Sequence, residues 1–318
     1  MPEMPPVFIA SDDAEEYVTV LQKILPESVA IHCGENSGSL QNSYNGESVV
    51  LARPDFAAVL LESCPEAVEK IAWLQSTWAG VTPLLKYGTA GFKLTGVKNV
   101  FGEQMAEYVI GYALAHELKI ARRLKSQADR EWDAGQSGGL TGKTLGTMGT
   151  GSIAAHVAGV AAGFGMRLLG YSFSGQARQP YEEVFSPTGL REFLAECDYV
   201  IAVLPDIEST DSLLDARAFG AMKNSAVLIN VGRGNVVDTP ALVQALESGQ
   251  LAAAVLDVFE QEPLPRDHPF WHTRNLTITA HIAASSRPAD IAALFHANYM
   301  RFVAGQPLVY LVDFEKGY

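Results

Sequence analysis

The sequence predicts an α/β protein of two domains, each built on a parallel sheet. Three observations carry this reading. Short apolar runs alternate with longer stretches of helical period along most of the chain. A glycine-rich G-x-G-x-x-A segment, Gly149-Thr-Gly-Ser-Ile-Ala154, stands between a strand-like run and a helix-like one. A length of 318 residues suits about two domains, at roughly 100–200 residues each.

Taken in order, Val7–Ala10 reads as a first strand, and Ser11-Asp12-Asp13 suits the N-cap of a helix that runs to about Leu25. Val29–Cys33, Ser48–Ala52 and Ile71–Gln75 read as further strands, with Phe56–Glu62 helical between the last two. The Asn-, Ser- and Gly-rich stretch Glu35–Gly46 reads as a loop. A long helix begins at Gly102 and places Ala106, Val109, Ile110, Ala113, Leu114 and Ala121 on one stripe. Gly135–Gly142 is a turn region. Beyond it come strands at Thr144–Met148, Arg167–Tyr171, Tyr199–Leu204, Ala226–Val231, Ala252–Val258 and Leu276–Thr279. Helices are expected at Ile153–Phe164, Leu190–Glu196 and Pro240–Ser248. Ile291–Gly305 reads as a helix returning to the first domain, which is therefore discontinuous: residues 1–104 plus 289–318, against 105–288 for the second, with a cleft expected between them.

Composition excludes several classes. The net charge of −13 leaves no broad basic face for phosphate backbones, so nucleic acid is not an expected partner. Cys33, Cys64 and Cys197 are too few and too scattered for a disulfide framework or a zinc cluster, which fits a reducing compartment and no metal site. Met1–Pro6 lacks the basic start and apolar run of a signal peptide. No apolar stretch approaches the roughly 20 residues that cross a bilayer. A soluble, cytoplasmic protein without a membrane partner is expected.

The glycine-rich segment has a chemical reading, a Rossmann-like dinucleotide turn. Gly149 permits a tight turn, and Gly151, across Thr150, lets the backbone approach a pyrophosphate. Ala154 is small enough for helix to pack on strand, and the N–H groups around Ser152 and Ile153 open toward phosphate. An NAD site usually ends the next strand in a carboxylate that holds the ribose 2′-OH; here Ser172 stands there, followed by Ser174 and Arg178. Without that carboxylate a 2′-phosphate is not repelled, so NADP(H) is favoured and NAD(H) is the alternative.

Arg233, Glu262 and His281 follow three later strands, and residues just past the carboxyl ends of parallel strands line the ligand crevice. A forked guanidinium suits a carboxylate and its neighbouring carbonyl oxygen. An imidazole titrates near neutrality and can give a proton to a new alkoxide, and a Glu beside it favours the charged ring. His156, His268, His272 and His296 gain nothing from their neighbours and read as surface or packing residues, and Cys197 as a small apolar filler.

These segments resemble the D-isomer-specific 2-hydroxyacid dehydrogenases. The resemblance extends to Ser76–Val81, similar to that family's substrate loop, to Met105–Val109, and to Pro263-Leu-Pro265 and Trp271. Gly102–Tyr108, Ser285–Pro288 and Lys316-Gly-Tyr318 resemble the glyoxylate/hydroxypyruvate reductase A branch, whose members usually prefer NADPH. The resemblance implies reduction of a small anionic 2-oxo acid, with His281 as acid/base, Glu262 as its partner and Arg233 as carboxylate and carbonyl anchor. It also implies that the N–H groups of Ala79 and Gly80 hold the carboxylate, with Trp78 as a pocket wall. Leu204, Pro205, Val231 and Asp257 are implied cofactor contacts, Asp257 beside the nicotinamide carboxamide, and a homodimer is implied. Two residues depart from the pattern: Ala280 where a Pro commonly precedes the His, and Ser152 where a basic residue follows the second glycine. The alternative is a non-catalytic NAD(H) sensor or corepressor-like scaffold on the same fold. A formate-type dehydrogenase is disfavoured, since those carry Gln where this chain has Glu262.

Overall fold

The computed structural model describes residues 4–314, so Lys316–Tyr318 lie outside the described residues. The chain divides into two compact units, one running to Val100 and resuming at Ser286, the other Phe101–Ser285. The division precedes residue 104 because the helix there starts at Gly102 and belongs whole to the second unit. It precedes residue 288 because Ser286 is already tied to the first unit, its Oγ donating to Thr77 O at 2.6 Å.

The first unit contains strands β1 (Val7–Ala10), β2 (Ile31–Gly34), β3 (Val49–Ala52), β4 (Trp73–Ser76) and β5 (Lys93–Thr95). Its helices begin with α1 (Ala14–Ile24), α2 (Leu40–Ser43), α3 (Pro54–Ser63) and α4 (Pro65–Lys70). The sheet is parallel in the order β2-β1-β3-β4-β5. Every residue of β1 and β3 is buried, as strands covered on both faces require. Two local expectations change. Asp13 occupies the α1 N-cap, yet no side chain caps the helix; Ser11 Oγ instead accepts from Asp13 N, and Asp12 pairs with Arg53. The stretch 35–46 is not all loop, because the fully buried Leu40 anchors α2, led in by a turn in which Asn36 accepts from Gly38 N at 2.9 Å.

The second unit opens with α5 (Gly102–Glu117) and α6 (Ile120–Ala128). The expected single helix is thus broken, and Ala121 lies exposed, off the buried stripe. The break has a long-range cause. The buried Glu117 accepts from Tyr199 OH at 2.6 Å and pairs with Lys143 at 3.1 Å, which fixes the end of α5, and Lys119 then turns left-handed at φ 54°. Alternating strands and helices follow: β6 (Thr144–Met148), α7 (Ser152–Gly163), β7 (Arg167–Tyr171), β8 (Glu183–Phe185), α8 (Leu190–Glu196), β9 (Tyr199–Ala202), α9 (Ala216–Ala221), β10 (Val227–Asn230), α10 (Thr239–Ser248), β11 (Ala253–Leu256) and β12 (Leu276–Ile278). The seven-stranded parallel sheet runs β12-β11-β10-β9-β6-β7-β8, so the chain reverses its direction of travel between β6 and β9. Side-chain alternation sorts the core: Tyr199, Ile201 and Ile229 pack toward α5 and α7, whereas Val200 and Leu228 pack toward Phe193, Phe219 and Leu242 of α8, α9 and α10. Cys197 joins this second layer, its thiol donating to Phe193 O, which agrees with a filler role.

The chain then returns to the first unit in α11 (Pro288–Val303). A buried polar network fastens it there. Asn298 Nδ2 donates to Gln75 Oε1 (3.4 Å) and Val309 O (3.0 Å), and its Oδ1 accepts from Val309 N. Gln75 Oε1 also accepts from Thr95 Oγ1, which in turn accepts from Trp73 Nε1, each at 2.8 Å. Among the described residues no helix is long and apolar enough to cross a membrane.

Candidate active site

In an open parallel sheet, ligands bind beyond the carboxyl ends of the strands, at the point where the strand order reverses. The second unit brings its candidate residues to that edge. The glycine turn follows β6, Ser172 and Ser174 follow β7, and Leu204 and Pro205 follow β9. Val231 and Arg233 follow β10, Asp257 and Glu262 follow β11, and His281 follows β12.

The turn after β6 fits a dinucleotide. Gly149 has φ 98°, and a Cβ there would lie 2.7 Å from Val203 O, so this position admits only glycine. A Cβ on Gly151 would meet nothing within 4 Å, which leaves the approach to the backbone open. No side chain caps the N-terminus of α7, so its first N–H groups are available to an anion. The end of β7 carries no carboxylate. Ser172 Oγ accepts from Gly175 N at 3.2 Å and lies 3.5 Å from Ser174 Oγ.

Arg233 is held by its own turn. The fully buried Asn230 accepts from Gly232 N at 3.0 Å and donates to Arg233 O at 2.9 Å, clamping both ends of the segment. The flanking glycines are sterically required: a Cβ on Gly232 would lie 2.8 Å from Leu204 N, and one on Gly234 would lie 2.0 Å from Phe259 C. The guanidinium donates to Gly232 O at 2.6 Å and lines a cavity of about 270 Å³ with Asp206, Asp211, Asn235 and Glu260. Burial pulls its pKa down, and Asp206 and Glu262 oppose that pull. It remains a cation, because an arginine does not lose its proton in a protein. Asn230, Gly232 and Gly234 are further residues on which the position of Arg233 depends. They carry a signal in the sequence, since an Asn interrupts an apolar strand and two glycines bracket the Arg.

His281 and Glu262 form a pair, with Nδ1 2.8 Å from Oε2, while Glu262 Oε1 accepts from Phe259 N at 3.0 Å. The Nδ1 contact leaves Nε2 as the ring nitrogen open to a ligand, and the imidazole is half exposed. His281 has φ 55°, a left-handed conformation that costs a non-glycine residue roughly 1–2 kcal/mol. Asp257 is 1% exposed, and both its oxygens are engaged by the loop that carries His281. Two other histidines make packing contacts: the His268 ring lies tilted against Phe270 with centroids 4.5 Å apart, and a Cβ on Gly102 would lie 2.8 Å from the His156 ring.

In the first unit, the Ser76–Val81 segment follows β4 at the carboxyl edge of its own sheet. Ser76 Oγ accepts from Trp78 N (3.0 Å) and donates to Trp78 O (2.7 Å), which curls the segment on itself. Trp78 is 41% exposed, so it is not a core aromatic; its ring lies over the Arg53 guanidinium at 4.8 Å. The N–H groups of Ala79 and Gly80 have no hydrogen-bond partner among the described residues.

Comparison with known proteins places the chain in a family. Residues 110–283 match the family model described as "D-isomer specific 2-hydroxyacid dehydrogenase, NAD binding domain". The chain is 33% identical over 240 residues to a glyoxylate/hydroxypyruvate reductase A of Serratia proteamaculans, which covers 76% of this chain and 74% of that protein. A D-isomer specific 2-hydroxyacid dehydrogenase family protein from Aeromonas salmonicida superposes with a TM-score of 0.91 at 38% identity, covering 98% of this chain and all of the other. An NADPH-dependent glyoxylate/hydroxypyruvate reductase from Sinorhizobium meliloti, solved with NADP and sulfate, gives 0.83 at 25% identity, covering 99% and 100%. By these matches and its two parallel-sheet units, the chain belongs to the D-isomer specific 2-hydroxyacid dehydrogenases and is an NAD(P)-dependent enzyme of that family.

Proposed function

We propose that the protein reduces a small 2-oxo acid of the glyoxylate or hydroxypyruvate type to the D-2-hydroxy acid, with NADPH preferred over NADH. The observation that carries this reading is the 2.8 Å His281–Glu262 pair at the same sheet edge as the half-buried Arg233. The names of the relatives from Serratia and Sinorhizobium support the substrate class. The carboxylate-free end of β7 and the NADP in the Sinorhizobium structure support the cofactor preference.

Gly149, Thr150, Gly151, Ser152 and Ile153 hold the pyrophosphate, with Ser172 and Ser174 at the 2′-phosphate and Leu204, Pro205 and Val231 along the cofactor. Asp257 keeps one lone pair on Oδ2 for the carboxamide. When bound, the reduced nicotinamide supplies the hydride. Arg233 grips the substrate carboxylate and polarises the carbonyl through its fork of donors. His281 gives the proton from Nε2 to the carbonyl oxygen, and Glu262 stabilises the imidazolium before that transfer. From the first unit we assign the free N–H groups of Ala79 and Gly80 to the carboxylate, with Trp78 as a wall.

Steady-state rates with NADPH and NADH over glyoxylate, hydroxypyruvate, pyruvate and phenylpyruvate test this. The expected result is fastest NADPH oxidation with glyoxylate and hydroxypyruvate. Tight NAD(H) binding with no turnover on any of the four would replace the reductase by the sensor reading.

A homodimer formed through the second unit is supported by Leu118, Ile120, Leu124 and Trp132, which are 39%, 43%, 62% and 95% exposed around α6. Light scattering is expected to give twice the 34.2 kDa chain mass, and a monomer at micromolar concentration would reject it. The unpaired cysteines support a cytoplasmic location, which cell fractionation checks.

A further inference from the structure

We propose that Tyr108, Thr279 and Asp257 form a directed hydrogen-bond chain that holds His281 in its left-handed backbone conformation, making Tyr108 and Thr279 positioning residues for the proton donor. The proposal rests on the reading of His281 given above.

The loop after β12 has little of its own to hold it, and four of its N–H groups go to the end of β11. Thr279 N donates to Leu256 O at 3.0 Å, and His281 N donates to Asp257 O at 2.8 Å. Ile282 N and Ala283 N donate to the Asp257 carboxylate, each at 2.9 Å. The residue of positive φ therefore lies between bonds to the backbone and to the side chain of a single aspartate. That aspartate is buried and in no ion pair among the described residues, so hydrogen-bond donors alone compensate its charge.

The third donor is Thr279 Oγ1, at 2.5 Å from Oδ1. A carboxylate only accepts, so the hydroxyl spends its single proton there. The Tyr108 oxygen, 2.6 Å from the same Oγ1, must then be the donor in that contact. Burial raises the Tyr108 phenol above its usual range, which keeps that proton in place. The chain runs Tyr108 to Thr279 to Asp257, in one direction, and each link polarises the next. Tyr108 is itself fixed on α5 against Tyr112, with ring centroids 4.6 Å apart.

The test uses the whole chain and five variants. Thr279→Val is expected to lower kcat roughly tenfold or more with KM little changed, since a buried carboxylate loses a donor. Thr279→Ser is expected to restore most of it, and Tyr108→Phe to cost a few-fold. Tyr108→Phe in the Thr279→Val background should add nothing, because the link it serves is already cut. A second readout needs no turnover: in protein labelled with ¹⁵N-histidine, the His281 ring signal, assigned with His281→Gln, should shift and broaden in Thr279→Val and Tyr108→Phe and recover in Thr279→Ser. Additive kinetic losses, or a His281 signal unchanged in both disrupted variants, would overturn the chain. Full turnover by His281→Gln would instead defeat the proton-donor reading while leaving the labelled spectra to judge the positioning.

Discussion

His281→Ala is expected to lose about 10²–10⁴-fold in kcat, the range that a positioned general acid supplies. It should bind NADPH as wild type does, because the glycine turn after β6 is built without His281. The ring is half exposed and its Nδ1 is taken by Glu262, so truncation removes a proton source and little packing. Removal of that side chain should also leave the melting temperature close to wild type, since surface truncations usually change stability by less than about 0.5 kcal/mol. Steady-state NADPH oxidation and fluorescence titration of the cofactor measure the two halves. A variant as fast as wild type would remove His281 from the chemistry.

Arg233→Gln is expected to be nearly as severe, and to act on kcat/KM. Truncating one partner of a desolvated charge pair costs about 2–5 kcal/mol, or roughly 30- to 5,000-fold in kcat/KM. The surroundings sharpen the effect. Asp206, Asp211 and Glu260 line the cavity with Arg233, so its loss removes the cation that offsets their charge there. Arg233→Lys should recover only a small part, because an ammonium is a point charge and cannot offer two parallel donors. Rates against glyoxylate concentration measure the loss, and a Gln variant within threefold of wild type would defeat the anchor role.

The central strands of both sheets were legible because each is a short apolar run bounded by turn residues, as in Val49–Ala52 and Val227–Asn230. The edge strands β5 and β8 were not. Each has three residues, and Lys93 and Glu183 face solvent, so neither makes a periodic signal. The glycine turn, Arg233, Glu262 and His281 were legible because strand ends expose polar residues against an apolar background. What holds them was hidden. Asn230 acts through backbone atoms two and three residues away, and Tyr108 meets Thr279 across 171 positions. The break at Lys119 was equally hidden, since it depends on Glu117 finding Tyr199 and Lys143 in the folded sheet.

The buried amide of Asn298 gives the order of assembly during synthesis. Its partner Gln75 leaves the ribosome early, whereas Asn298 follows only after the 185 residues 101–285 have been made. At about 5–20 residues per second, the nascent first sheet waits roughly 10–40 s for its closing helix. Gln75 and Thr95 can bond to each other through that interval, whereas the contact of Gln75 Oε1 with Asn298 is made only after it.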